Sequence, residues 1–110
     1  MPGHHAYRTS NIEADLDTPE KISIIWTTYM KYRTNLRGFD LAKIDEILRY
    51  SAERYLDTTT QRNVVVGKHG DRLVLIPYEK QGNKVIPITI HPTTRQQINF
   101  RLKAGRFRHE

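Results

Sequence analysis

Two side chains near the end of the sequence, His91 and Arg95, have the types and spacing that phosphate chemistry uses. Histidine titrates near neutrality and can take or give a proton. Arginine presents a fork of donors that grips a phosphate through two bonds. His91 precedes Pro92 at the end of an apolar alternating run, and a helical spacing begins at once over 93–103. The free N–H groups of a helix N-terminus suit a phosphate, and Arg95 falls in that first turn. Further cations follow the same stretch: Arg62 and Lys84 flank the strands before it, while Arg101, Lys103 and Arg106 read as sequence-independent phosphate contacts. The same residues admit a plainer reading, in which His91 is a half-exposed histidine before a proline turn and the arginines are solvated.

The charge distribution bears on that choice. Residues 1–55 carry eight Lys/Arg and eight Asp/Glu, a net of zero. Residues 56–110 carry ten against four, a net of +6, which is the whole excess of the chain. Such asymmetry speaks of partners rather than fold, and the partners it fits are RNA, DNA or an acidic protein. With no cysteine there is no disulfide framework, thiolate metal site or cysteine nucleophile. No Gly-rich phosphate loop, paired metal-binding histidines or serine elbow is present, so neither a cofactor nor a metal is called for. No apolar run is long enough to span a membrane and no signal peptide opens the chain, which makes a cytoplasmic protein the expectation.

The elements that must position these residues follow from periodicity. Strand patterns occupy 63–68, 72–78 and 84–91, joined by turns at His69-Gly70-Asp71 and Gln81-Gly82-Asn83. Turn chemistry accounts for His69. In the last strand Ile86, Ile88 and Ile90 share one face, expected to pack on helices, and Pro87 marks an edge or a bulge. Upstream, Ile22, Ile24 and Trp26 line one face of a first strand. Thr27 or Thr28 caps a short helix stopped by Gly38, and Asp40 caps a second one whose buried stripe is Leu41, Ile44, Ile47 and Leu48. Residues 51–55 give no clear signal, and 56–61 read as a polar loop. In the C-terminal helix Ile98 and Leu102 lie together, with Phe100 and Phe107 on another side. Gly105 ends it and leaves 106–109 as an exposed tail. Tyr50 and Tyr78 are of a type that can stack on a base, and core packing is the competing use. Residues 1–20 are a flexible segment by composition, and His4 and His5 are set aside from the chemistry.

The order β-α-α-β-β-β-α, read as α+β with an antiparallel sheet and helices on one face, resembles the RelE/ParE superfamily of bacterial toxins, and among them most the BrnT-type members. The resemblance covers about residues 22–105, within a single domain over 21–110. It is carried by Tyr29-Met30-Lys31-Tyr32-Arg33-Thr34-Asn35-Leu36-Arg37-Gly38, similar to a family segment His-x-x-x-Arg-x-x-x-Arg-Gly with Tyr29 at the histidine position. It is carried also by the strand-to-helix junction from Ile88 to Gln97, where His91 stands at a family arginine, Thr94 matches the family threonine and Gln97 replaces an acid. The resemblance implies the toxic half of a toxin–antitoxin pair: a metal-independent endoribonuclease cleaving mRNA, on or off the ribosome, through the RNA 2′-hydroxyl, and held by a cognate antitoxin. Catalysis would fall to His91 and Arg95 and RNA binding to Arg62, Lys84, Arg101, Lys103 and Arg106, with Glu79 the nearest second titrating group. A second class remains open, a non-catalytic ParE-like or degenerate module that binds an antitoxin or nucleic acid. A third is a small nucleic-acid-binding protein without toxicity.

Overall fold

Both faces of the central strands are apolar, and the architecture follows from that. The computed structural model describes residues 18–110. The expectation of a flexible segment falls, for 1–17, outside the described residues; Pro19–Lys21 forms a 3₁₀ turn whose Pro19 carbonyl accepts a bond from Arg49. The strands are β1 (Ser23–Ile24), β2 (Glu53–Asp57), β3 (Arg62–His69), β4 (Arg72–Gln81), β5 (Lys84–Pro87), β6 (His91–Pro92) and β7 (Phe107–His109). The helices are α1 (Thr28–Leu36), α2 (Leu41–Tyr50) and α3 (Arg95–Lys103). The sheet order is β1-β5-β4-β3-β2-β7, with β6 pairing β4 beside β5. All pairs are antiparallel except β1 with β5, which is parallel, so the sheet is mixed rather than antiparallel. No helix among the described residues is long and apolar enough to cross a membrane.

Side chains alternate across a strand, so Val64-Val65-Val66 on β3 and Val74-Leu75-Ile76 on β4 feed two cores. Val65, Val74 and Ile76 pack with Met30, Phe39, Ile44, Ile47 and Leu48 beneath α1 and α2. Val64, Val66 and Leu75 pack with Tyr55, Ile98 and Phe107 beneath α3. The helices therefore cover both faces of the sheet, which corrects the one-face expectation. A continuous apolar run is the mark of a strand buried on both sides.

Local signals set the helices. Thr27 accepts from the Met30 N–H and caps α1; Asp40 accepts from the Ala42 N–H and caps α2. Gly38 takes φ +71°, the left-handed conformation in which glycine carries no Cβ penalty, and ends α1 in a Schellman turn with Gly38 N donating to Asn35 O and Phe39 N to Thr34 O. His69 does more than close a hairpin. Its Nε2 accepts from the Asp40 backbone N–H at 2.8 Å and its ring meets Phe39 edge-on at 5.0 Å, tying the β3–β4 turn to the start of α2. Arg54 closes the other end of α2, donating to the Leu48 and Ser51 carbonyls and to the Tyr78 hydroxyl, with Tyr78 in the core and Tyr50 exposed.

Three local expectations are corrected. The stretch read as unclear and then as loop contains β2, in which Tyr55 and Asp57 are buried. The strand expected over 84–91 stops at Pro87, which has no N–H for the ladder. The chain then leaves the register, with only Ile88 N reaching Pro77 O, and re-enters the sheet as β6. That break changes the parity, so Val85, Pro87 and Ile90 are buried while Ile86 and Ile88 are half-exposed. The expected exposed tail is β7: it pairs with β2, and Phe107 is 3% exposed, stacked on Tyr55 at 5.5 Å.

Candidate functional site

The break after Pro87 delivers His91 to the free edge of β4, opposite Leu75. Thr93 N then donates to Leu73 O, and Thr94 caps α3 by accepting from the Gln97 N–H at 3.1 Å. This is the strand-end, helix-start placement that the sequence indicates for His91. The imidazole is half-buried, and its pKa is lowered from the ordinary 6.5, first by burial and then by the charges of Arg37, Arg33 and Arg101. Both effects favour the neutral imidazole, whose lone pair can accept a proton.

Those three guanidiniums come from separate places. Arg33 and Arg37 sit four residues apart at the end of α1, on one side of the sheet. Arg101 projects from α3 on the other side. None of the three has an ion-pair partner among the described residues, whereas Arg49, Arg62, Arg95 and Arg106 each hold a carboxylate. The Arg33 Nε is buried with no hydrogen-bond partner, as is the Thr89 hydroxyl two residues before His91. Arg33 and Arg37, one helical turn apart, and Arg101 thus bear on the same imidazole without a carboxylate among the described residues, a setting that would suit an anion. A cation in the last turn of α1 also complements the helix dipole, but that leaves the buried Nε unexplained.

Arg95 is elsewhere. It forms a two-bond pair with Glu53, NH1 to Oε2 and NH2 to Oε1, both at 2.6 Å. The Tyr55 hydroxyl donates to the same carboxylate at 2.7 Å. Arg95 holds the Glu53 carboxyl below its ordinary value against the opposing effect of burial, and burial together with Glu53 pushes Tyr55 up to about 12. His91, Leu75, Val66 and Glu53 form one cross-strand row. Three strand spacings put Glu53 about 14 Å from His91, so His91 and Arg95 are not brought together.

The other sequence candidates scatter. Arg62 pairs with Glu79 at 3.5 Å, four residues along β4 from Leu75, or about 14 Å. Lys84 is opposite Gln81, six residues along, or about 20 Å. Both lie towards the far end of the strand from His91. Arg106 donates to the buried Asp57 carboxylate at 3.4 Å, where the Thr59 and Thr60 N–H groups also bind. Lys103 is exposed on α3. Of the sequence candidates, His91 and Arg101 share the cluster. Arg33 and Arg37 complete it; their four-residue spacing was visible in the sequence, but their approach to His91 depends on packing α1 against the sheet. No protein-family model, curated protein or solved structure matches the chain.

Proposed function

We propose that this chain is a metal-independent endoribonuclease of the RelE/ParE kind, the toxic member of a toxin–antitoxin pair, with its site at the His91 edge of the sheet. One arrangement carries the reading: the half-buried His91 imidazole feels the charges of Arg37, Arg33 and Arg101, none of which has an ion-pair partner among the described residues. In that site a phosphodiester supplies the missing anion. His91 accepts the proton of the 2′-hydroxyl, the 2′-oxygen attacks phosphorus, and the P–O5′ bond breaks. The products are a 2′,3′-cyclic phosphate and a 5′-hydroxyl. Arg33 and Arg37 face the charge that builds on the phosphorane oxygens, where fixed cations act most strongly. No second group that titrates near neutrality bears on His91 among the described residues, so water protonates the leaving oxygen. Arg95 acts at a distance in this scheme, holding α3 to β2 through Glu53.

The same lone imidazole favours a second reading, a module that binds nucleic acid or an antitoxin without cleaving. Primer-extension mapping of cellular mRNA after a short pulse of expression separates the two. Wild type should produce new 5′ ends that His91→Ala and Arg33→Ala/Arg37→Ala do not. Ends that persist in both variants would remove the site from the chemistry. Absence of ends with wild type, beside retained RNA binding in vitro, would establish the module.

A further inference from the structure

Phe100 is the most exposed large apolar side chain among the described residues, at 72%. It takes no part in either core, where α3 is anchored by Ile98 and Leu102. Its ring borders a concavity of about 440 Å³ shared with Gln96, Gln97, Arg101 and Arg106, within the range of small-molecule sites. Gln97 is oriented by a 3.2 Å bond to the Thr93 hydroxyl, and Arg101 rests over the Phe107 ring at 5.4 Å. Arg101 is the link, since it lines this concavity and its charge also bears on His91.

Resting on the reading above, we propose that Phe100 is a stacking platform for one base of single-stranded RNA whose backbone is held by the sheet-edge cluster, Arg101 bridging the two. A base has a π face for the ring and polar edges for the glutamine amides, whereas an apolar partner helix would desolvate Arg101, Arg106 and those amides without return. Charge agrees: of the five Lys/Arg in residues 95–110, Arg101, Lys103 and Arg108 have no carboxylate partner among the described residues. The strand must be unpaired, because a duplex keeps its base faces stacked internally.

Fluorescence anisotropy with a short 2′-O-methyl RNA, which cannot be cleaved, and a matched abasic strand tests this. Phe100→Ala should weaken the base-bearing strand about tenfold and leave the abasic strand unchanged, and Phe100→Trp should restore binding. Because Phe100 lies outside the core, an unchanged thermal melt should accompany the loss. If Phe100→Ala changes neither strand, or both equally, the platform is overturned. If at the same time Arg33→Ala/Arg37→Ala loses both strands, the functional reading stands without it. If wild type binds neither strand, both fall.

Discussion

Gly67→Ala measures how firmly α2 is seated on the sheet, and with it the end of α1 that carries Arg33 and Arg37. A Cβ at Gly67 would lie 2.8 Å from Ile47 Cγ2 and 3.0 Å from Cγ1, where carbon atoms settle at about 3.5–4.0 Å. Ile47 is 7% exposed and flanked by the buried Ile44 and Leu48, so withdrawing α2 from the sheet would uncover that apolar stripe. Forcing Ile47 off its rotamer costs about 0.5–1.5 kcal/mol, and overpacking as a whole about 1–3 kcal/mol. The lower entropy of an unfolded chain with alanine offsets roughly 0.4–1 kcal/mol. The net is a loss of about 1–2 kcal/mol, read in urea denaturation as a lower midpoint at unchanged slope, or as a melting temperature lower by about 5–15 °C for a chain of this size. Ile47→Ala supplies the control. It deletes both Cγ atoms and leaves Cβ at 3.4 Å, an ordinary contact. Its cost, about 2–5 kcal/mol alone, should shrink by about 1 kcal/mol in the Gly67→Ala background. A Gly67→Ala protein as stable as wild type, or strict additivity in the pair, would refute the argument.

Two further outcomes follow from the charged groups. An NMR titration of His91 should give a midpoint below the ordinary 6.5, and Arg37→Ala should move it up towards that value; a wild-type midpoint at or above 6.5 would dissolve the cationic site. The sign for stability is that of a depressed pKa. The contribution is complete above 6.5 and is lost as pH falls through the folded value, and Arg37→Ala should soften that loss. Glu53 obeys the same sign lower down: its contribution is present above the ordinary carboxyl value of 4.5 and fades as pH falls through the value that Arg95 depresses. Because much of the Arg95 side chain is solvated, Glu53→Gln should cost only about 0.5–1 kcal/mol at neutral pH and flatten the acid limb of the stability curve; an unaltered limb would show that the pair contributes nothing.

What the sequence reveals of this fold depends on whether a signal is local. The stripe of α2 and the cap at Asp40 are contained in a few neighbouring residues; the cap appears as expected, and the stripe does at Ile44, Ile47 and Leu48, with Leu41 only half-buried. β2 and β7 are not legible that way. β2 buries Asp57, whose carboxylate is satisfied only when the turn at Thr59–Thr60 and the distant Arg106 meet it. β7 offers Phe107 alone as an apolar residue in Arg106-Phe107-Arg108-His109, and that ring finds its place only against Tyr55 and Ile98. The one-face expectation misses the second core, although the unbroken apolar runs on β3 and β4 alternate to both faces and so require cover on both. In the site, His91 stands out by residue type and position. Arg95 stands out equally and is taken by a carboxylate 42 residues away, a pairing with no local trace.

The site and the irregularity of the sheet have one origin. β4 gives its outer edge to β5 over Tyr78–Gln81 and to β6 over Val74–Leu75. Between them Pro87 withholds an N–H, residues 88–90 leave the ladder, and Thr89 is left with a buried hydroxyl that nothing among the described residues answers. A continuous strand would have carried its alternation through to position 91; the break turns His91 out at the edge instead, where the end of α1 comes in from one face and Arg101 from the other. Folding gains little from this: burial and the charges of Arg37, Arg33 and Arg101 oppose protonation of the imidazole, and the donors at Arg33 and Thr89 go unmatched among the described residues. Four other arginines hold carboxylates instead, at Asp45, Glu53, Asp57 and Glu79. Buried donors left unmatched beside a half-buried imidazole mark a place where a protein can trade stability for function, and on the reading proposed above the anion that would answer them is a phosphodiester.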